Sequence, residues 1–343
     1  MKILFIACLH PKTGNQTTAE RIRSYIEEAG HSCELRDAGE FHSPADVADL
    51  VSQNPSFKGA LALHLFKAGR FLLDLQIPCG VIFGGTDINE DVKVEHKRLV
   101  MEKVLLKVRF AVAFTETMKE KAESYLVSQK TNIYVQPPGI QTEGTEHFCW
   151  AKFLRSSGVS IENVDELRVF LLVSGLRLVK DPLYLVKVFS EWHRKNPMNI
   201  FVIIGPKIDP VFSVEVETVV KSTAGVFLAQ ERSQRELHAA MKRCFALVNS
   251  SRSEGMSAAI LEAMDLGLPV LARDIPGNAA VVQHEVTGLL FSTPQEFVHL
   301  SQRLLLDHEL RERVVKNGKF YVEKHHSVKQ EQKIYQQLVD ILH

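Results

Sequence analysis

Short apolar runs alternate with longer amphipathic stretches along the whole chain, and this alternation constrains the fold more than any other feature. Strands that are apolar throughout and separated by helices predict a parallel sheet covered on both faces. The first helix is expected at 17–29, because Gly30 follows it and glycine is typical of helix C-termini. The strands expected in the first half are 3–9, 33–36, 60–65, 81–83, 111–115 and 133–136.

The same pattern restarts after a polar stretch that has no clear period. A helix is expected at 182–192, with Pro182 in its first turn. Two doubly wound α/β domains are the simplest architecture for this pattern. The strands expected here are 169–173, 200–204, 226–228, 245–249, 270–272 and 288–291. The expected divisions are a domain at 1–145, a linker at 146–165, a domain at 166–325 and a final helical segment at 326–343.

Length, charge and cysteine usage limit the class of protein. A chain of 343 residues suits about two domains. Acidic and basic residues number 41 each, which gives no reason to expect nucleic acid as a partner. No apolar run approaches the ~20 residues of a membrane-spanning helix. The five cysteines are scattered without a C-x-x-C pair, which favours a reducing compartment over a disulfide framework. We therefore expect a cytoplasmic protein, and we interpret the apolar run at 3–9 as a buried strand rather than a signal peptide.

The most informative segment is 249–270, where a predicted strand, a polar loop and an Ala-rich helix follow one another. The loop carries Glu254, and the helix is expected to begin near Met256 and to end at Gly267. Free N–H groups at a helix start suit a phosphate. Glu262 lies two turns into the helix among apolar residues, where a carboxylate needs a partner such as the paired hydroxyls of a sugar. A helix-forming glutamate that faces solvent is the alternative that the spacing leaves open.

Glu254 and Glu262 together match the E-x₇-E pattern of retaining nucleotide-sugar glycosyltransferases of the glycogen-synthase-like group, the glycosyl transferases group 1. The resemblance covers nearly the whole chain and implies the GT-B architecture, in which two doubly wound Rossmann-like domains face each other across a cleft. It also implies that the final helix packs back on the N-terminal domain. The other segments that carry the resemblance are 2–9 with 13–15, 112–119, 135–140, and 276–278 with 287–290.

The resemblance implies a retaining, hexosyl-type transfer from a nucleotide diphosphate sugar to an unknown acceptor, without a metal. Glu254 is expected beside the donor sugar as a catalytic residue, and Glu262 is expected to hold the nucleotide ribose. Arg177 and Lys180 are expected to neutralise the leaving diphosphate, although cations after a strand are commonly surface charges. The backbone N–H groups expected to meet the donor belong to Gly255, Met256 and Ser257.

In the N-terminal domain, the resemblance implies that Gly14 lets the first loop approach the diphosphate, because it has no side chain. Its neighbours Thr13 and Asn15, together with Asp87, are candidates for the cleft or the acceptor. Asp87 belongs to an acidic turn at 87–91 that lacks the D-x-D motif common in metal-dependent glycosyltransferases. We interpret this turn as a charged, solvated helix start in which only Asp87 is expected toward the cleft, and we expect neither a metal nor a cofactor.

Four positions depart from the family pattern. The histidine that many members carry before the Asp of the 84–87 turn is absent, since Gly84-Gly85 stands there. P-N-G becomes Pro-Pro-Gly at 137–139, the G-R-x₄-K spacing is shortened around Arg177, and G-G-x-x-E near 277 loses its glutamate. Two alternatives therefore stay open: a catalytically weak nucleotide-sugar-binding or regulatory protein, and a nucleotide-sugar epimerase.

Overall fold

Two six-stranded parallel sheets organise the chain in the computed structural model, which describes residues 1–11, 13–126, 132–160 and 163–343. The first unit contains Met1–Gly139 together with His326–His343, and the second contains Ile140–His325. The predicted α/β class is confirmed, and each predicted strand overlaps one of the twelve strands found in these ranges. Within the described ranges, no helix combines the length and the apolar character that crossing a bilayer requires.

The sheet of the first unit has the strand order β2-β1-β3-β4-β5-β6, and all neighbouring strands are parallel. The strands are β1 (Lys2–Ala7), β2 (Ser32–Asp37), β3 (Phe57–Leu63), β4 (Cys79–Ile82), β5 (Phe110–Ala113) and β6 (Asn132–Val135). The chain proceeds from β1 to one side and then returns to β3 on the other side. Such a reversal is the switch point at which parallel sheets leave a crevice beyond their carboxyl ends.

The helices that connect these strands are α1 (Gly14–Glu28), α2 (Pro44–Gln53), α3 (Gly85–Asn89), α4 (Glu95–Lys107) and α5 (Glu116–Tyr125). Helix α1 begins where the Thr13 hydroxyl accepts a hydrogen bond from the Gln16 N–H. The predicted stop at Gly30 is confirmed, because its φ of 83° lies in the left-handed region that glycine adopts readily.

The sheet of the second unit has the order β12-β11-β10-β7-β8-β9 and is also parallel throughout. Its strands are β7 (Arg168–Val173), β8 (Asn199–Ile204), β9 (Val226–Ala229), β10 (Ala246–Asn249), β11 (Val270–Arg273) and β12 (Leu289–Phe291). The order reverses between β7 and β10, so the loops that follow these two strands meet at the switch point.

The helices of the second unit are α6 (Trp150–Ser156), α7 (Val186–Lys195), α8 (Pro210–Lys221), α9 (Gln234–Met241), α10 (Ala258–Asp265), α11 (Pro276–Ala279), α12 (Pro294–Leu306) and α13 (His308–His325). Helix α6 lies inside the segment 146–165 that we expected as a linker, and its Trp150, Phe153 and Leu154 are buried in the core of this unit. The helix expected from Pro182 begins instead at Val186, because the preceding loop is held by the contacts described below.

The last helix, α14 (Val328–Asp340), belongs to the first unit and packs against α1. Its buried apolar side chains are Tyr335, Leu338, Val339 and, just beyond the helix, Leu342. The sequence pattern did not reveal that this face also buries a charge. Glu331 is fully buried and accepts hydrogen bonds from Arg21 Nε and Nη2 at 2.9 and 3.1 Å and from the Tyr25 hydroxyl at 3.0 Å.

Candidate functional site

The loops after β7 and β10 are bonded to each other at the switch point of the second unit. The Lys180 ammonium lies 2.5 Å from Glu254 Oε1 and forms an ion pair that bridges the two loops. The Ser250 hydroxyl contacts the Lys180 and Asp181 carbonyls at 3.2 and 3.0 Å, and the Arg252 N–H donates to the Val179 carbonyl. The structure therefore brings two of the predicted site residues, Lys180 and Glu254, into contact, although they are 74 residues apart in sequence.

The two carboxylate oxygens of Glu254 have different surroundings. Oε1 accepts hydrogen bonds from Lys180, from the Ser251 hydroxyl at 2.7 Å and from Asn249 Nδ2 at 3.3 Å. Oε2 bonds to none of the described residues and is not enclosed by them. Burial raises the pKa of Glu254, but the Lys180 charge and these hydrogen bonds lower the pKa by more, so it lies below its usual value. Glu254 thus presents an ionised oxygen that is free to accept from a ligand.

Asn249, at the end of β10, is the hub of this loop and was not predicted as a site residue. Its Nδ2 donates to Glu254 Oε1 and to the Ser257 hydroxyl, while its Oδ1 accepts from the Ser251 N–H and from Asn278 Nδ2. A polar residue at the end of an apolar strand was the available sequence signal. The hydrogen-bonding capacity of its amide is used by the loop and by Asn278 of α11, so its role is to position Glu254.

Helix α10 begins at Ala258, two residues later than expected, and Gly255 and Met256 therefore lie in the loop before it. The preceding residue, Ser257, is bonded to Asn249, and no side chain caps the helix. The first N–H groups of α10 are consequently left for another acceptor. The neighbouring Gly277 is required by close packing, since a Cβ there would lie 2.0 Å from the Glu254 carbonyl oxygen.

Glu262 is partly buried on α10 and has a partner, unlike a solvent-facing helix residue. Gln234 Nε2 donates to Glu262 Oε1 at 2.9 Å. The ring of His238 lies nearby, with Nε2 3.6 Å from Glu262 Oε2, which is too long for a hydrogen bond. His238 is itself fixed through Nδ1, which contacts the backbone of Glu143. These partners belong to helices and loops distant in sequence, so the motif alone could not identify them.

The cations near the loop after β7 have different partners. The Arg177 side chain is exposed and forms no hydrogen bond or ion pair within the described part of the chain. Arg252 Nε and Arg273 Nη1 instead both bind Asp181 Oδ2, at 2.8 and 3.0 Å. Asp181 has a left-handed φ of 47°. Lys180 therefore contacts Glu254 in the candidate site, whereas the Arg177 side chain contacts none of the described residues there through a hydrogen bond or ion pair, so its predicted role stays a prediction.

The first-unit candidates Thr13, Gly14 and Asn15 lie at the start of α1, beyond the carboxyl end of β1. Thr13 caps the helix, and Gly14 is exposed. A Cβ at Gly14 would meet no atom within 4 Å, so packing against the described residues does not require glycine there.

Asp87, the member of the acidic turn that we expected toward the cleft, is fully buried. Its carboxylate accepts from the N–H groups of Leu65, Phe66 and Gly84 at 2.6, 3.1 and 2.7 Å. The three backbone N–H donors compensate for the burial of this charge. A carboxylate at a solvated helix start would not need such compensation. The same turn carries Asp91, which pairs with Lys97 at 2.6 Å. In the described ranges, no group of three potential metal ligands occurs in this acidic turn.

His64 was not predicted as a site residue, since it falls inside an apolar run. Its imidazole lies against Gly84, where a Cβ would be 1.9 Å from the ring atoms Cε1 and Nδ1. The histidine that the family pattern places in the 84–85 pair is absent, and the ring of His64 fills the space beside Gly84. Neither the left-handed backbone of His64 nor this contact can be inferred from the pattern of apolar residues.

Comparisons with known proteins show the family and the fold of this chain. The model of the family Glycosyl transferases group 1 matches residues 159–320. Glycosyltransferase 1 domain-containing protein 1 of Xenopus tropicalis is 53% identical over 339 residues, which span 99% of this chain and 97% of that protein. Sucrose-phosphate synthase from Thermosynechococcus elongatus has a TM-score of 0.78 at 15% identity, with 100% and 99% of the two chains covered. HepE from Anabaena, in complex with UDP and glucose, has a TM-score of 0.73 at 16% identity, with 99% of each chain covered. The structural matches show the GT-B fold.

Proposed function

This chain belongs to the group 1 glycosyltransferases, and from that membership we propose that it transfers a hexosyl group from a nucleotide diphosphate sugar to an acceptor with retention of configuration. The observation that carries the proposal is the geometry of Glu254. One of its oxygens is saturated by three protein donors, and the other is left open at the switch point of the second unit. An ionised acceptor held in this way suits the hydroxyl groups of a donor sugar.

The leaving diphosphate needs positive charge, and the second unit supplies two sources. Lys180 is adjacent to Glu254, and the uncapped start of α10 offers N–H groups and the positive end of a helix dipole. Preorganised donors of this kind stabilise the charge that develops in the transition state. No divalent metal is required in this scheme.

In the proposed reaction, the acceptor hydroxyl attacks the anomeric carbon from the face that the diphosphate leaves. The bond from that carbon to the diphosphate oxygen breaks, and the acceptor proton passes to the departing phosphate. The protein supplies no nucleophile. The contribution of the chain is to hold the sugar through Glu254, to bind the diphosphate through Lys180 and α10, and to hold the ribose through Glu262.

Replacing Glu262 by alanine is expected to weaken binding of the nucleoside diphosphate by about ten- to a hundredfold, because a carboxylate that accepts from ribose hydroxyls contributes about 1.5–3 kcal/mol. Calorimetry on folded protein with UDP, GDP and ADP measures the effect. Glu312→Ala, on the exposed face of α13, is the matched control and should bind as the wild type does. Equal affinities in both variants would place Glu262 outside the nucleotide site.

The function itself is tested with purified protein and UDP-, GDP- and ADP-glucose. UDP-glucose is the first choice, because HepE is a fold neighbour in complex with UDP and glucose. We expect the protein to bind one donor and to release its diphosphate, with glucose transferred or hydrolysed as the α-anomer. Binding without turnover would support the regulatory protein instead, and conversion of the sugar without an acceptor would support the epimerase. The absence of binding to all three donors and their diphosphates contradicts the proposal.

A further inference from the structure

The carboxyl end of β3 leads into a histidine whose backbone conformation is costly. His64 follows Leu63 directly and has a φ of 81°, in the left-handed region that a residue with a side chain rarely adopts. Three main-chain hydrogen bonds hold it there: its N–H donates to Ile82, and its carbonyl accepts from Ala68 and Gly69. Strain that the surrounding structure enforces in this way is concentrated at functional sites.

The imidazole of His64 has polar contacts at only one of its two nitrogens among the described residues. Its Nδ1 lies 3.4 Å from the Thr86 hydroxyl and 3.7 Å from Asp87 Oδ2. Burial raises the pKa of Asp87, but the contact with His64 and the bonds from backbone N–H groups lower the pKa by more, so Asp87 stays ionised. The Asp87 carboxylate is too far from Nδ1 to accept a hydrogen bond, but its negative charge favours a proton on that nitrogen and leaves Nε2 as an acceptor.

The other ring nitrogen of His64, Nε2, has no hydrogen-bond partner among the residues that the structure describes, although the side chain is only 4% exposed. This nitrogen is also not among the enclosed polar atoms, so the small exposed area includes it. A histidine that served only to fill the core would leave this polar group without compensation.

Gly84 makes the position of the ring possible. Any side chain at residue 84 would begin 1.9 Å from the imidazole and would have to displace it. Gly84 also donates its N–H to Asp87 Oδ2, so one residue leaves room for the ring and helps to hold the carboxylate that orients it. His64, Gly84 and Asp87 form one arrangement that holds the ring while Nε2 keeps a small exposed area.

We propose that His64 is a substrate-binding residue of the first unit, and that its Nε2 forms a hydrogen bond with a hydroxyl group of the carbohydrate substrate. The inference rests on the proposed function for the class of ligand. The location supports it, because His64 lies at the carboxyl end of β3, beside β1, where the strand order reverses. A sugar hydroxyl donates to a neutral imidazole and accepts from a protonated one, so it suits Nε2 in either state.

Two substitutions separate binding through Nε2 from a structural role. His64→Asn tolerates the left-handed backbone and keeps a polar group near the position of Nδ1, but it does not reach the position of Nε2. His64→Gln extends an amide about as far as Nε2. We expect His64→Asn to lower kcat/KM for the bound nucleotide sugar by about tenfold or more, since one ligand hydrogen bond is lost. His64→Gln should recover part of that loss, and Gly84→Ala should resemble His64→Asn.

Binding of the nucleoside diphosphate without a sugar is the control measurement, because in the proposed site Glu262 and Lys180 bind it and His64 does not. Affinity for whichever of UDP, GDP and ADP the wild type binds should be unchanged in His64→Asn. The resonance of His64 Nε2 should move when the matching nucleotide glucose is added if the donor supplies the hydroxyl. It should move when glucose or maltose is added to diphosphate-saturated protein if the acceptor supplies it.

The outcomes distinguish this inference from the proposed function. Wild-type activity in His64→Asn, or a His64 resonance that neither ligand shifts while the diphosphate binds, overturns the role of His64 and leaves the function standing. Failure of the wild type to bind any of the three diphosphates overturns the proposed function, and the inference that rests on it falls as well.

Discussion

Replacing Lys180 by methionine is expected to lower turnover of the nucleotide sugar by about a hundredfold, because a preorganised positive group on the leaving diphosphate contributes about 3 kcal/mol to the transition state. Steady-state kinetics on folded protein measures the loss. Lys221→Met, at the exposed end of α8, changes the same residue type outside the site and should retain full turnover. A fully active Lys180→Met variant would contradict the role assigned to this cation.

The same substitution should also destabilise the protein, contrary to the expectation for an exposed lysine. The Lys180 side chain is only 20% exposed, and its partner Glu254 is 7% exposed. Removing one member of a buried ion pair costs about 3 kcal/mol or more. The double variant Lys180→Met with Glu254→Gln removes the unpaired charge, so it should recover stability but not turnover. Recovery of both would show that lost folding, not lost catalysis, explains the single variant.

Chelation tests the metal-free part of the scheme. Turnover of the wild-type protein is expected to be the same with and without a chelator, because Lys180 and the start of α10 supply the positive charge. A loss of turnover on chelation, restored by added divalent cation, would contradict the scheme.

Replacing Arg21 by methionine is expected to lower the free energy of unfolding by about 3–5 kcal/mol, because Glu331 would remain buried without its cation. Denaturant titration measures the change. Arg23 is a matched control on the same helix, since its pair with Glu27 is exposed on both sides. Arg23→Met should cost less than about 1 kcal/mol.

A second comparison separates the unpaired charge from lost packing. Arg21→Met combined with Glu331→Met replaces the pair by apolar side chains, and such replacements are often neutral. We therefore expect the double variant to be more stable than Arg21→Met alone. Equal stability of Arg21→Met and Arg23→Met would show that the buried pair does not anchor α14.

The sequence predicts the strands well, because a strand buried on both faces must be a continuous apolar run. The start of α7 is predicted less well, since Asp181 and its contacts with Arg252 and Arg273 hold the preceding loop out of the helix. Local helix propensity does not include contacts with residues that lie dozens of positions away in the sequence. For the same reason, the segment with Trp150 was expected as a linker, although it packs into a core formed by later strands.

Some residues of the candidate site were predictable from the sequence, and others were not. Glu254, Glu262 and Lys180 were identified because they belong to a spaced motif. Asn249 and His64 were missed because their roles depend on geometry. The Asn249 side chain forms four hydrogen bonds with its own loop and with Asn278, and His64 has a left-handed backbone and a glycine beside its ring.

The return of α14 to the first unit has a consequence for the order in which the protein is made. Arg21 and Glu331 are 310 residues apart, and the whole second unit is synthesised between them. A ribosome adds residues in sequence, so the second unit is complete while the first still lacks its last helix. During that interval, the apolar face that α14 will cover is exposed, and Arg21 has no carboxylate to bind. The N-terminal unit therefore finishes folding last. A chain that is shortened at its C-terminus would lose the stability of its N-terminal unit first.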